Sequence, residues 1–199
     1  MRRFLPLLLC AGLALAACKS RNTTTITSDD GKTKVKLDLT EASRASSDME
    51  KKMEELKKLT PLTTDQLKAM LPDELLGMKR SSFNANSMMG FASADATYKK
   101  ADDSQQIRLS IFDCAGEAGA GIYSLNYWTK MSVQSENEDG YTKTVDFNGQ
   151  KAVESYHKSE DSYELTYTAA DRLLVTIRGD KTGLDGLRQA AQGLNLKVN

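Results

Sequence analysis

The stretch YTKTVDFNGQKAVESYHK, Tyr141–Lys158, decides the fold class. Two runs of alternating character flank Asn148-Gly149, and both of those residues accept the positive φ that a two-residue hairpin turn demands. No helix can carry that dipeptide at its centre cheaply, so the segment reads as two antiparallel strands. The chain around it repeats the pattern. On the C-terminal side, Tyr163–Ala169 and Leu173–Arg178 form a second hairpin across Ala170-Asp171-Arg172. A helix over about 183–194 closes the chain, with Leu184, Leu187, Ala191 and Leu194 at helical spacing. On the N-terminal side, Met78–Asn84, Ala92–Lys99 and Gln106–Cys114 read as strands. The last is the clearest, because Ile107, Leu109 and Ile111 alternate with polar neighbours. A helix over about 117–131 separates the two groups of strands.

Two more helices precede the strands. DMEKKMEELKKL, Asp48–Leu59, places Met49, Met53, Leu56 and Leu59 on one face and charge on the other, and Pro61 ends it. Thr63 and Gln66 have capping-box spacing ahead of Leu67, Met70 and Leu71, and Pro72 stops that helix. The expected fold is therefore α+β, an antiparallel sheet of about six to seven strands in two meanders with helices packed on its faces. Lys19 to about Ser47 is polar and poor in bulky apolar residues, which favours a flexible tether. Asp30-Gly31 between TTTIT and KVKLDL leaves a short hairpin there as the alternative. The organisation expected is residues 1–17 as a leader, 18–47 as anchor and tether, and 48–199 as one α+β domain.

The leader is the most specific feature. Met1-Arg2-Arg3 is a positive n-region, and Phe4–Ala14 is an apolar run of signal-peptide length, too short to span a bilayer. Leu15-Ala16-Ala17-Cys18 follows and resembles the lipobox of bacterial lipoproteins. The resemblance implies a diacylglycerol thioether on Cys18, cleavage before it, and acylation of the new amino group, the several chains giving stable anchoring. It further implies a palmitate-bearing lipoprotein facing the periplasm. Lys19 after the anchor, in place of an aspartate, favours the outer membrane over the inner. Without Arg2 and Arg3 the processed chain carries 25 basic and 27 acidic residues, a formal charge of −2. That balance argues against nucleic acid as a partner and gives no electrostatic pull toward anionic lipid. The membrane, reached through the lipid on Cys18, and an envelope protein are the partners expected.

The order α, three strands, α, four strands, α over roughly 62–194 is similar to the PsbP/DcrB-like α+β sandwich. LPDELLGMKR, ATYKK and LSIFDCAGEAG further resemble a group of uncharacterised bacterial envelope proteins. Neither resemblance implies an activity, since fold is not function.

Chemistry-bearing residues are few. Cys114, the single cysteine of the domain, stands where a strand meets a helix. It is either a thiolate activated by the helix N-terminus, with His157 as base, or a small apolar filler beneath that helix, the reading favoured. Gly116, Gly119 and Gly121 match neither a Walker A loop nor a dinucleotide fingerprint. Close helix packing explains them better, with Gly119, Ile122 and Leu125 on one face. Asp102-Asp103, Glu136–Asp139 and Glu160-Asp161 fall in turns without calcium-loop spacing. One histidine and no suitable cysteine pair leave zinc without ligands, so no cofactor or metal is expected. Two surfaces remain as ligand or partner contacts. In NSMMGFAS, Met88, Met89 and Phe91 lie in a hairpin loop that either folds back onto the core, the reading favoured, or meets a partner. Tyr123, Tyr127 and Trp128 on the middle helix are placed to line a groove between helix and sheet. The function these features favour is a non-catalytic interaction or accessory domain. A small-ligand module and a Cys114-dependent enzyme or redox sensor are the alternatives.

Overall fold

The computed structural model describes residues 23–27 and 34–198. The expected leader and Cys18 lie outside the described residues. Among the described residues the fold is α+β: four α-helices and one open, wholly antiparallel sheet of eleven strands. The strands are β1 (Thr23–Thr27), β2 (Lys34–Asp38), β3 (Glu74–Leu75), β4 (Met78–Met88), β5 (Phe91–Lys99), β6 (Gln106–Asp113), β7 (Gln134–Asn137), β8 (Gly140–Phe147), β9 (Gln150–His157), β10 (Ser162–Ala169) and β11 (Leu173–Asp180). The helices are α1 (Leu39–Lys57), α2 (Thr64–Ala69), α3 (Gly116–Leu125) and α4 (Leu184–Gln192). Their spatial order is β1-β2-β7-β8-β9-β10-β11-β6-β5-β4-β3. Two meanders, β3–β6 and β7–β11, thus lie side by side. They join through β11 and β6, which run in register from Leu173↔Asp113 to Asp180↔Gln106.

Three features depart from the sequence reading. Nine strands, not six to seven, lie within 48–199. The additional ones are β3, two residues long, and β7, whose Gln-Ser-Glu-Asn has no β-branched or aromatic residue and forms because β8 pairs with it. Where a tether is favoured, β1 and β2 pair as a hairpin, Thr23↔Asp38 to Thr27↔Lys34, and β2 extends the sheet at β7 through Lys34↔Glu136. Helix α1 begins at Leu39 rather than near Asp48. Glu41, Ala42, Arg44 and Ala45 are good helix formers, and they carry the helix back to the end of β2.

Alternation along the strands makes two cores. Tyr98, Ile107, Leu109, Ile111, Val175 and Ile177 point to one face and pack under α2 and α4 with Leu67 and Leu187. The facing positions of β5 are Ala92, Ala94 and Ala96, small enough to let α2 lie close. Helix α2 starts with the expected capping box: Gln66 N–H donates to Thr63 Oγ1 (3.3 Å), and Thr63 N–H donates to Gln66 Oε1 (2.9 Å). On the opposite face, α1 packs against α3. Leu56, Cys114, Ala120 and Tyr123 form a smaller core there, with Phe112 and Leu174 beneath.

A buried ion pair holds the two layers in register. Asp113, at the end of β6, is fully buried and accepts from Arg172 Nε (2.8 Å) and Nη2 (2.6 Å), from Leu62 N–H (2.7 Å) and from Ala115 N–H (3.2 Å). Arg172 also donates to Thr60 O (2.7 Å). The β10–β11 turn, the strand end and the link between α1 and α2 are thereby tied at one point.

Candidate functional site

Cys114 sits in the second core with no exposed surface, beside Leu56, Ala120 and Tyr123. Burial, reinforced by the Asp113 carboxylate, pushes its thiol up to about 12. At neutral pH it is a protonated apolar filler. His157 is no base for it. Cys114 N–H donates to Arg172 O (2.8 Å) at the β10–β11 turn, whereas His157 pairs with Ser162 at the opposite end of β10. Those ends are seven residues apart along one strand, about 23 Å.

The glycines before and within α3 have separate roles. Gly116 enters the helix at φ +76°. Gly119 lies against the strand end: a Cβ there would stand 2.5 Å from the Cys114 carbonyl carbon and 2.9 Å from Asp113 O. Gly121 faces open space. The buried side of α3 is Gly119, Ala120 and Tyr123, while Leu125 is 74% exposed, so the expected Gly119–Ile122–Leu125 face is not the packed one. Of the residues expected to line a groove, Tyr123 is buried and Tyr127 half-buried. Their rings meet edge-on, centroids 5.6 Å apart. Trp128 falls in the 3-10 turn Tyr127–Lys130, its side chain outside those described.

The Met88–Phe91 loop does not fold back. Met88 is 68% exposed, Met89 92% and Phe91 42%, with only Phe91 reaching inward, edge-on to Phe112 at 6.3 Å. Its turn is revealing. Met89 and Gly90 have φ of +53° and +81°, and Asn148 and Gly149, at the β8–β9 tip, have +53° and +77°. The same two-residue turn is thus built with asparagine at one tip and methionine at the other, and Leu76-Gly77, with φ of +52° and +74°, makes it again between β3 and β4. Methionine pays about 1 kcal/mol for a left-handed backbone that asparagine adopts readily. Leu76 in the corresponding turn packs against the larger core, whereas the Met89 side chain stays in solvent.

The sequence reading missed one polar cluster altogether. Glu154, on β9, faces α4 and has no exposed surface. It accepts from Arg188 Nη2 (2.5 Å) and Tyr141 Oη (2.9 Å) and pairs with Lys143 Nζ (3.1 Å). Burial acts to raise its pKa, and the bonds from Arg188, Tyr141 and Lys143 more than offset this, so the carboxyl titrates below its ordinary value. Tyr141 is pushed up by burial and by donating to that carboxylate. Both oxygens of Glu154 are occupied, which makes the group an anchor for α4 rather than a free base. The Glu154–Arg188 spacing of 34 residues carries no motif, and only the β8–β9 register brings Tyr141, Lys143 and Glu154 together. Beside the cluster, Gln134, Ser135, Glu136, Tyr141 and Lys143 line an open cavity of about 260 Å³. Among the described residues, no three His, Cys, Asp or Glu side chains are grouped to hold a metal ion.

No protein-family model matches the chain, and no curated protein or solved structure matches it.

Proposed function

We propose that the protein is a lipid-anchored bacterial envelope protein whose α+β domain acts by contact rather than catalysis. The observation that carries this reading is Leu15-Ala16-Ala17-Cys18 directly after a basic n-region and an apolar run. Acylated at Cys18, the domain faces the periplasm, with the outer membrane favoured by Lys19. The likeness to the PsbP/DcrB-like fold rests on the order of elements. Two features of the domain support a contact role: the buried, protonated thiol of Cys114, and the exposed methionine tip. Mass spectrometry of the processed N-terminal peptide tests the anchor. A triacylated or diacylated Cys18, and its loss together with membrane fractionation in Cys18→Ser, is the expected result. A free thiol at Cys18 in a soluble product rejects the proposal.

A further inference from the structure

The outer strand β4 carries no charge beyond Arg80. From Ser81 to Ala94, SSFNANSMMGFASA, the chain holds no charged residue, in a protein where 27% of residues are charged. Among the described residues β3 covers the outer side of β4 only at Met78 and Lys79. Beyond the irregularity between Arg80 and Ser82, Ser82–Met88 pairs with β5 on one side and with no described strand on the other. An open edge is a template for another strand, and soluble proteins normally blunt it with lysine, proline or a covering segment. Here the open stretch has no lysine and no proline. A bilayer is a poor occupant, because the unpaired N–H and C=O groups of such an edge lose their water there. A strand satisfies them.

We propose that the occupant is a second copy of this chain, β4 pairing antiparallel with β4 about a two-fold axis at Ala85. Self-pairing places each residue opposite its mirror position about the axis, and with no charge from Ser81 to Ala94 it brings no like charges together there. The register about Ala85 also matches size and polarity at each step. Ala85 faces Ala85 of the second copy, and Asn84 faces Asn86, whose amides donate and accept in turn. Phe83 faces Ser87, and Met88 faces Ser82, so each bulky side chain meets a small one. Phe83 is 46% exposed, with Lys68 and Arg80 over its ring at 5.4 and 4.8 Å, and Asn84 is exposed. Such a contact is isologous and closes at two. An edge ladder buries less than a standard interface, so the dimer is a weak one that dissociates on dilution. It does not depend on the lipid anchor.

The test uses the protein as the cell processes it, in non-denaturing detergent. Sedimentation from low micromolar to several hundred micromolar should show a monomer–dimer equilibrium. In the double variant Asn84→Lys, Asn86→Lys, lysine faces lysine twice, and the dissociation constant should rise by about tenfold or more. Mixing it with Asn84→Glu, Asn86→Glu should restore a heterodimer. Under mild oxidation Ala85→Cys should form a disulfide-linked dimer beyond any given by the unsubstituted chain, and much faster than Ser87→Cys or Asn148→Cys. Cys114 is too buried to compete. A chain that stays monomeric across this range overturns the proposal, whether or not its hairpin is then found against lipid or another protein. So does a dimer indifferent to the paired lysines, or one cross-linked no faster at 85 than at 87.

Discussion

Removing the Arg172 side chain is the most informative single perturbation of this fold. Arg172→Ala deletes two bonds to Asp113 and one to Thr60 O, leaving a fully buried carboxylate with only the Leu62 and Ala115 amides. Breaking a buried pair on one side costs about 3–5 kcal/mol, because the surviving charge stays desolvated. The Arg172 side chain is 11% exposed, so water can follow it into the vacated space, which places the loss near the lower end, about 3 kcal/mol. For a chain of this size that is a fall in Tm of about 6–12 °C. Urea unfolding followed by circular dichroism measures it directly. Arg172→Lys should recover only part of the loss, since one ammonium cannot bridge both carboxylate oxygens and the Thr60 carbonyl. In a double-mutant cycle with Asp113→Asn the two sites should couple by about 1–3 kcal/mol. A loss under about 1 kcal/mol for Arg172→Ala, or additivity in the cycle, would mean that the layers are not held at this point.

Other outcomes follow from the same geometry. Native Cys114 should resist iodoacetamide at pH 8 and label only on unfolding, since its thiol is held up to about 12; rapid labelling of folded protein contradicts its burial. Glu154 titrates below its ordinary 4.5 when folded, so its contribution to stability is present above that pH and is lost as pH falls through the lower folded value. Stability measured from pH 6 to pH 2 should therefore fall less steeply in Glu154→Gln than in the parent chain below about pH 4.5; identical slopes would remove Glu154 from the acid response. Gly119→Ala should destabilise by about 1–3 kcal/mol, because its Cβ meets backbone that cannot rotate away, whereas Gly121→Ala, facing open space, should be neutral or slightly stabilising. Equal effects at the two glycines, measured by thermal unfolding, would contradict the close approach of α3 to the strand end.

Local signals carried much of the fold into the sequence. Asn148-Gly149 set the β8–β9 hairpin, Ile107–Leu109–Ile111 set the buried face of β6, and Thr63–Gln66 set the start of α2. Each depends on residues within a few positions of one another. What the sequence concealed depends on partners far away. β7 exists because β8 offers a ladder, β3 because β4 does, and the Glu154–Arg188 and Asp113–Arg172 pairs join residues 34 and 59 positions apart. The tips differ for another reason. Asparagine or methionine can precede glycine in the same turn, and only the exposure of Met89 shows that its side chain has no place inside.

Strand order explains why the composition of β4 matters. Had the meanders joined through β4 instead of β6, Ser81–Met88 would lie between two strands, where its polar side chains would sit among neighbours on both sides. They join instead through β6 and β11, whose Ile107, Leu109, Ile111, Val175 and Ile177 are the residues of a central strand. The serines and asparagines of β4 are consistent with a strand wetted on its faces, and the lack of charge beyond Arg80 sets it apart from an ordinary protected edge. Wetted faces together with an unguarded edge describe a strand that can pair without requiring a new hydrophobic core. Association through such a strand is governed by backbone ladder and register. Paired lysines at 84 and 86 should therefore weaken it strongly while leaving the fold intact, and Met89→Ser at the tip should change it little.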